Sequence, residues 1–132
     1  MRGVLAVDTN VVVRFLTGDE PAQAGRARAL FEHEAVLLLK TVLLETEWVL
    51  RRLYQFDSKR IADAFRALIA LPLVECEDLK AVAKAIRWTL NGLDFADALH
   101  IASAIPAQRF ATFDEAVLKR AAKITDLRVI RA

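Results

Sequence analysis

Apolar residues along this chain fall into two kinds of run. Short unbroken aliphatic stretches bounded by polar residues predict strands buried on both faces, and longer stretches with apolar positions repeating at three and four predict amphipathic helices. Val4-Leu5-Ala6-Val7 is the first short run, and it stops abruptly on Asp8-Thr9-Asn10, which supplies the turn that closes a strand. Val36 to Leu39, Leu73 to Cys76, Arg109 to Phe113 and Leu127 to Ile130 are the further predicted strands.

Between the strands the period changes. Val11 to Leu16 predicts a short helix, broken at Thr17-Gly18-Asp19-Glu20. Pro21 is suited to the first position of a second helix reaching about His33, with Ala24, Ala27, Leu30 and Phe31 on its buried stripe. Thr41 is the expected N-cap of a third helix, Val42 to about Phe56, whose apolar residues surround most of its circumference and require packing on more than one side. Asp57-Ser58 caps a fourth, Lys59 to Leu71, expected to form a hairpin with the third, and Pro72 stops it. Glu77-Asp78 opens a fifth helix, Leu79 to Leu90, which Asn91-Gly92 ends as a left-handed cap. An Ala-rich sixth runs from Leu93 to Ala104, and a seventh from Asp114 to about Ile124.

Strands alternating with helices predict an α/β fold: a parallel sheet covered on both faces, three layers in all. Right-handed crossovers make 3-2-1-4-5 the natural order for a five-stranded sheet flanked by about seven helices. The chain has no internal repeat or linker, so one domain over residues 1–132 is expected. A chain of 132 residues that is 55% hydrophobic can bury a sizeable core. Its 19 basic and 17 acidic residues leave a formal charge of +2, too weak a field to announce nucleic-acid binding as a whole. Lone Cys76 excludes an intramolecular disulfide, and no apolar run approaches a membrane span, so a soluble cytoplasmic protein with no membrane partner is expected.

The chemistry lies in the acids. In the predicted order the chain reverses direction between strands one and four, opening a crevice at their C-terminal ends, where such sheets bind ligands. Asp8 ends strand one and Asp114 follows strand four. Asp94 and Asp97 occupy the first turn of a helix that starts at the same edge, and Glu45 lies in the first turn of the helix leaving strand two. Each acid taken singly is read as readily as a helix cap or dipole partner. Together, like charges at about 4 Å repel by about 4 kcal/mol at an effective dielectric near 20, so several in one crevice require protons or cations. An all-oxygen set without a His or Cys cluster suits Mg²⁺ or Mn²⁺ rather than zinc, and such ions support in-line hydrolysis of a phosphodiester.

Asp8-Thr9-Asn10, Leu43-Leu44-Glu45, Asp97-Ala98-Leu99 with Ala102 and Ala104, and Thr112-Phe113-Asp114 resemble, in order and spacing, the motifs of PIN-domain ribonucleases. The stretch Asp8 to Pro21 and Glu45-Thr46-Glu47-Trp48-Val49-Leu50 is similar, more narrowly, to the VapC toxins of toxin–antitoxin pairs. The resemblance implies a Mg²⁺-dependent endoribonuclease with Asp8 and Asp97 as main metal ligands, completed by Asp114 and Glu45 directly or through water. It further implies an RNA substrate, a cognate antitoxin and a homodimer, with the apolar surfaces of helices two to four as contact regions.

Several positions stay open at this stage. Asp94 is a fifth ligand or a cap, the cap being favoured, and Glu47 competes with Glu45. Thr9, Asn10 and Thr112 hold water or phosphate, or serve only turns. His100 is expected to be packed. Arg14, Arg51, Arg52, Lys59, Arg60, Lys119 and Arg120 are candidate phosphate contacts, most of them expected to be solvated surface. Phe113 is read as a packing residue. Two other functional classes compete: a non-catalytic PIN-like module that binds RNA or protein, and a doubly wound enzyme using Asp8 as a phosphoryl acceptor with Lys40 nearby.

Overall fold

A computed structural model describes residues 3–125 and 127–132. The chain divides into two compact units, Met1–Glu77 and Asp78–Ala132.

The first unit contains β1 (Leu5–Ala6), α1 (Thr9–Thr17), α2 (Pro21–His33), β2 (Val36–Leu38), α3 (Lys40–Arg52), α4 (Ser58–Ile69) and β3 (Val74–Cys76). Its strands are parallel in the order β1-β2-β3, with Leu5 opposite Val36 and Val36 opposite Val74. Val12, Val13, Val36, Leu38, Leu43, Leu50, Ile61 and Phe65 are all but fully buried, so the 3.6 and short-run patterns do mark the core. Helix starts follow local chemistry in three cases. Asp8 accepts from the Thr9 amide, Glu20 accepts from Gln23 with Pro21 in the first turn, and Asp57 accepts from Arg60.

The third helix departs from expectation. It begins at Lys40, and its N-cap position, Leu39, has no side-chain cap bond, so Thr41 lies inside the helix. Glu77 replaces the missing cap: its Oε1 accepts from the Lys40 amide at 2.7 Å, an acid supplied from 37 residues away. Nor is α3 covered all round. Val42, Leu43 and Leu50 are buried, whereas Trp48 is 54% and Leu53 69% exposed. The expected contact between α3 and α4 is present.

The second unit contains α5 (Leu79–Leu90), α6 (Phe95–Ser103), a 3-10 turn (Ile105–Ala107), β4 (Arg109–Thr112), α7 (Glu115–Ala121) and β5 (Arg128–Arg131). Helices α5 and α6 pack against each other, with Val82, Ala85, Ile86, Phe95, Ala98 and Ile101 nearly inaccessible. Gly92, at φ +98°, makes the tight connection between them, and Arg120 Nη1 stands 2.5 Å from where a Cβ at that position would sit. β4 and β5 pair in parallel from Arg109 opposite Arg128 to Thr112 opposite Arg131.

The α/β alternation, the parallel pairing, the neighbours 3-2-1 and 4-5, and seven α-helices among the described residues agree with the sequence reading. The sheet differs in detail: its hydrogen bonds form a three-stranded and a two-stranded sheet instead of one five-stranded sheet. β1 contributes only two ladder residues before Asp8 turns the chain into α1, and Leu5 and Ala6 are exposed where full burial was expected.

Candidate active site

In the first unit the acids are held by hydrogen bonds. Asp8 Oδ1 accepts from the Thr9 amide at 2.8 Å, which fixes the carboxylate at the N-terminus of α1. Thr9 is buried, and its hydroxyl donates to Glu45 Oε1. One threonine therefore ties the start of α1 to α3 and orients the second acid, which lies in the second turn of α3 and not in the expected first turn because the helix begins at Lys40. Glu47 is committed elsewhere: it is buried, and its Oε2 receives Arg51 Nε at 2.8 Å and Nη2 at 2.7 Å. That i,i+4 ion pair, with two donors on one carboxylate oxygen, makes Glu47 structural and leaves Glu45 as the acid next to the Asp8 turn.

In the second unit the acids act on one another through charge. Asp97 stands in the first turn of α6 and Asp94 at its N-cap position, but the Asp94 side chain makes no capping bond. The favoured reading of Asp94 as a working cap is thus not met. Asp114 is a true cap, its Oδ1 accepting from Ala116 at 2.9 Å and Val117 at 3.3 Å. Partial burial raises the Asp97 carboxyl above the ordinary aspartate value, and the negative charges of Asp94 and Asp114 raise it further, with His100 acting weakly the other way. His100 is exposed, not packed, because it lies on the polar side of an otherwise apolar helix.

Asp8, Thr9 and Glu45 thus form one group in Met1–Glu77, and Asp94, Asp97 and Asp114 another in Asp78–Ala132. Carboxylates that crowd one another, with oxygen as the only donor atom, are chemically matched to a hard divalent cation. Among the described residues no three His, Cys, Asp or Glu side chains close around a metal position. A Mg²⁺ ion at either group would complete its shell with water or substrate oxygen, as it commonly does.

The auxiliary candidates separate by what already binds them. Thr112 Oγ1 accepts from the Asp114 amide at 3.0 Å, a turn role. Asn10 lines a groove of ≈ 610 Å³ between α1 and α2, together with Val11, Arg14, Arg26 and Leu30. Four of the seven basic candidates are engaged: Arg14 with Gln23 and Tyr54, Arg51 with Glu47, Lys59 with Asp63, and Arg60 over the Phe56 ring at 3.8 Å. Phe113 overturns its reading as a packing residue, for it is 82% exposed. Strand alternation carried the signal, since it puts Phe113 in phase with exposed Arg109 and Ala111 rather than with half-buried Phe110 and Thr112. The linking role of Thr9 was missed because its partner lies 36 residues away.

A family model for the PIN domain matches residues 5–124. Among curated proteins none matches the chain. Among solved structures, the chain is similar to Mycobacterium tuberculosis VapC20, described as a sarcin-ricin loop cleaving toxin. The identity is 23% over 96% of this chain and 99% of that one, with a TM-score of 0.43.

Proposed function

Because the chain belongs to the PIN-domain family, we propose that it is an endoribonuclease toxin of a type II toxin–antitoxin pair, dependent on Mg²⁺ or Mn²⁺. Residues 1–132 act in this reading as one PIN domain. The observation that carries it is the gathering of Asp94, Asp97 and Asp114 in the second unit, where partial burial first, and then the charges of Asp94 and Asp114, hold the Asp97 carboxyl above its ordinary value against the smaller opposing effect of His100. A fold that keeps like charges together in this way is suited to a cation and, through it, a phosphate.

Asp8, Glu45, Asp97 and Asp114 would hold the ion, Asp8 and Asp97 most directly, and Asp94 would add charge beside Asp97. The ion, when bound, supplies Lewis-acid polarisation of the phosphodiester. The chain's own part is orientation. Asp8 is pinned by the Thr9 amide and Glu45 by the Thr9 hydroxyl, and Asp114 is pinned by two amides of α7, so little motion is left to be frozen when substrate arrives. In the reaction, water oxygen bonds to phosphorus as the bond to the leaving ribose oxygen breaks, and that oxygen leaves with a proton. Exposed Trp48 and Leu53 are the places we assign to contact with an antitoxin or a second copy. In this reading the toxin acts in the cytoplasm; no helix among the described residues is long and apolar enough to cross a membrane.

The test is cleavage of RNA by the purified chain with Mg²⁺ or Mn²⁺, repeated with EDTA and with Asp8→Asn. Cleavage is expected only in the metal-loaded wild type, and cutting that persists in Asp8→Asn would sink the mechanism. RNA binding without cutting under either metal would transfer the assignment to the non-catalytic module.

A further inference from the structure

Among the large apolar side chains exposed in the described residues, Phe113 is the most exposed, at 82%. A single exposed ring would carry nothing by itself. Phe113 differs in where it is held. Thr112 before it is anchored twice, its carbonyl accepting from the Ala132 amide at 2.9 Å and its hydroxyl from the Asp114 amide at 3.0 Å. Asp114 after it is locked to α7 by two further bonds. The ring is therefore presented from a turn held by hydrogen bonds on both sides, one residue before the acid whose charge reaches Asp97. No ring or cation partner is found for it among the described residues.

The surrounding charge decides what can approach. Asp94, Asp97 and Asp114 repel a phosphate backbone that brings no cation, so the part of an RNA strand that can settle beside them is the neutral base. A bare phenyl face offers such a base a stacking partner, as in single-strand recognition generally. We infer that Phe113 is a substrate-contacting residue on which an unpaired RNA base stacks next to the bond to be cut. The inference rests on the ribonuclease reading, and it names the residue that grips a base rather than a phosphate.

The experiment measures binding of fluorescein-labelled single-stranded oligoadenylate and oligouridylate to the full chain in EDTA, so that nothing is cut. Phe113→Ala is expected to weaken binding by about 5- to 150-fold, the span that stacking one base covers. Phe113→Tyr and Phe113→Trp should bind as wild type, and oligoadenylate should be preferred over oligouridylate only when an aromatic ring is present. Melting of Phe113→Ala should match wild type, as befits an exposed ring. Unchanged binding by Phe113→Ala overturns the inference. So does a wild type that binds neither oligonucleotide, a large drop in melting temperature, or a change of oligomeric state showing that the ring covers a second copy. If binding behaves as expected but the wild type never cuts RNA with metal, the base platform stands and the ribonuclease reading fails.

Discussion

Glu45, in the second turn of α3, and Asp97, in the first turn of α6, are the helix-borne acids of the two units, and their surroundings are opposite in kind. Glu45 receives a hydroxyl proton from buried Thr9, a neutral donor that fixes where the carboxylate points without altering the charge beside it. Asp97 is instead bounded by Asp94 and Asp114, and partial burial and like charge both penalise its ionised form. The first arrangement supplies position. The second stores electrostatic cost that a cation relieves, so the two groups of acids should respond differently to the same conservative change from acid to amide.

The largest effect that tests this contrast is on Asp97. Asp97→Asn is expected to lower RNA cleavage by more than about 100-fold, beyond the loss typical of residues that only support a metal ligand. The same change should raise the melting temperature of the metal-free chain, because it removes a charge that the fold disfavours, whereas Glu45→Gln should not. The sign with pH follows from the direction of the shift. Since folding raises the Asp97 carboxyl, its contribution to stability is complete below its ordinary value of 3.8 and is lost as pH rises through the folded value. Melting in EDTA from about pH 3 to about pH 7 should therefore show a gap between Asp97→Asn and wild type that opens as pH rises. A gap independent of pH, or a wild type more stable than the variant at neutral pH, would break the contrast.

Much of this was legible in the chain because the signals are local. Pro21, Asp57 and the Asn91-Gly92 stop are read from neighbours within one turn, and the acids of the second group lie on one helix start and one strand end. What escaped was either long-range or a matter of counting. Glu77 capping α3 depends on strand pairing that puts β3 beside β2, which no window of sequence contains. The choice between Glu45 and Glu47 was not settled by hydrophobic period, although Arg51 four residues after Glu47 pointed to an ion pair. The short β1 and exposed Phe113 came from reading whole apolar runs as strand: a run of apolar letters does not say where its ladder stops.

A smaller effect is expected where the acid itself is untouched. Thr9→Val keeps the shape of a buried side chain but removes the donor to Glu45, leaving that carboxylate free to turn. The Mg²⁺ concentration needed for half-maximal thermal stabilisation should rise by about 10- to 100-fold, as for other residues that orient a metal ligand. Thr9→Ser restores the hydroxyl and should restore the metal requirement. A Thr9→Val protein with wild-type Mg²⁺ dependence would show that Glu45 needs no such support, and failure of Thr9→Ser would point to packing rather than to the hydrogen bond.

Thr46 sharpens the same comparison at the smallest scale. It lies next to Glu45 on α3, is fully buried, and its Oγ1 has no hydrogen-bond partner, so it carries the desolvation cost of a hydroxyl with nothing returned. Thr46→Val exchanges that oxygen for a methyl group of similar size. Val and Thr have nearly equal helix propensity, so the change should stabilise the fold by about 1 kcal/mol, the low end of the cost of an unsatisfied buried group. That corresponds to a rise of a few degrees in melting temperature for a chain of this length. Cleavage should be unchanged, since the Thr46 hydroxyl bonds to none of the proposed metal-holding acids. The identical replacement at Thr9 should not stabilise the fold and should impair metal use, because there the hydroxyl has a partner. If Thr46→Val instead lowers the melting temperature, its hydroxyl is satisfied in solution, and burial with a partner then no longer distinguishes the two buried threonines of the first unit.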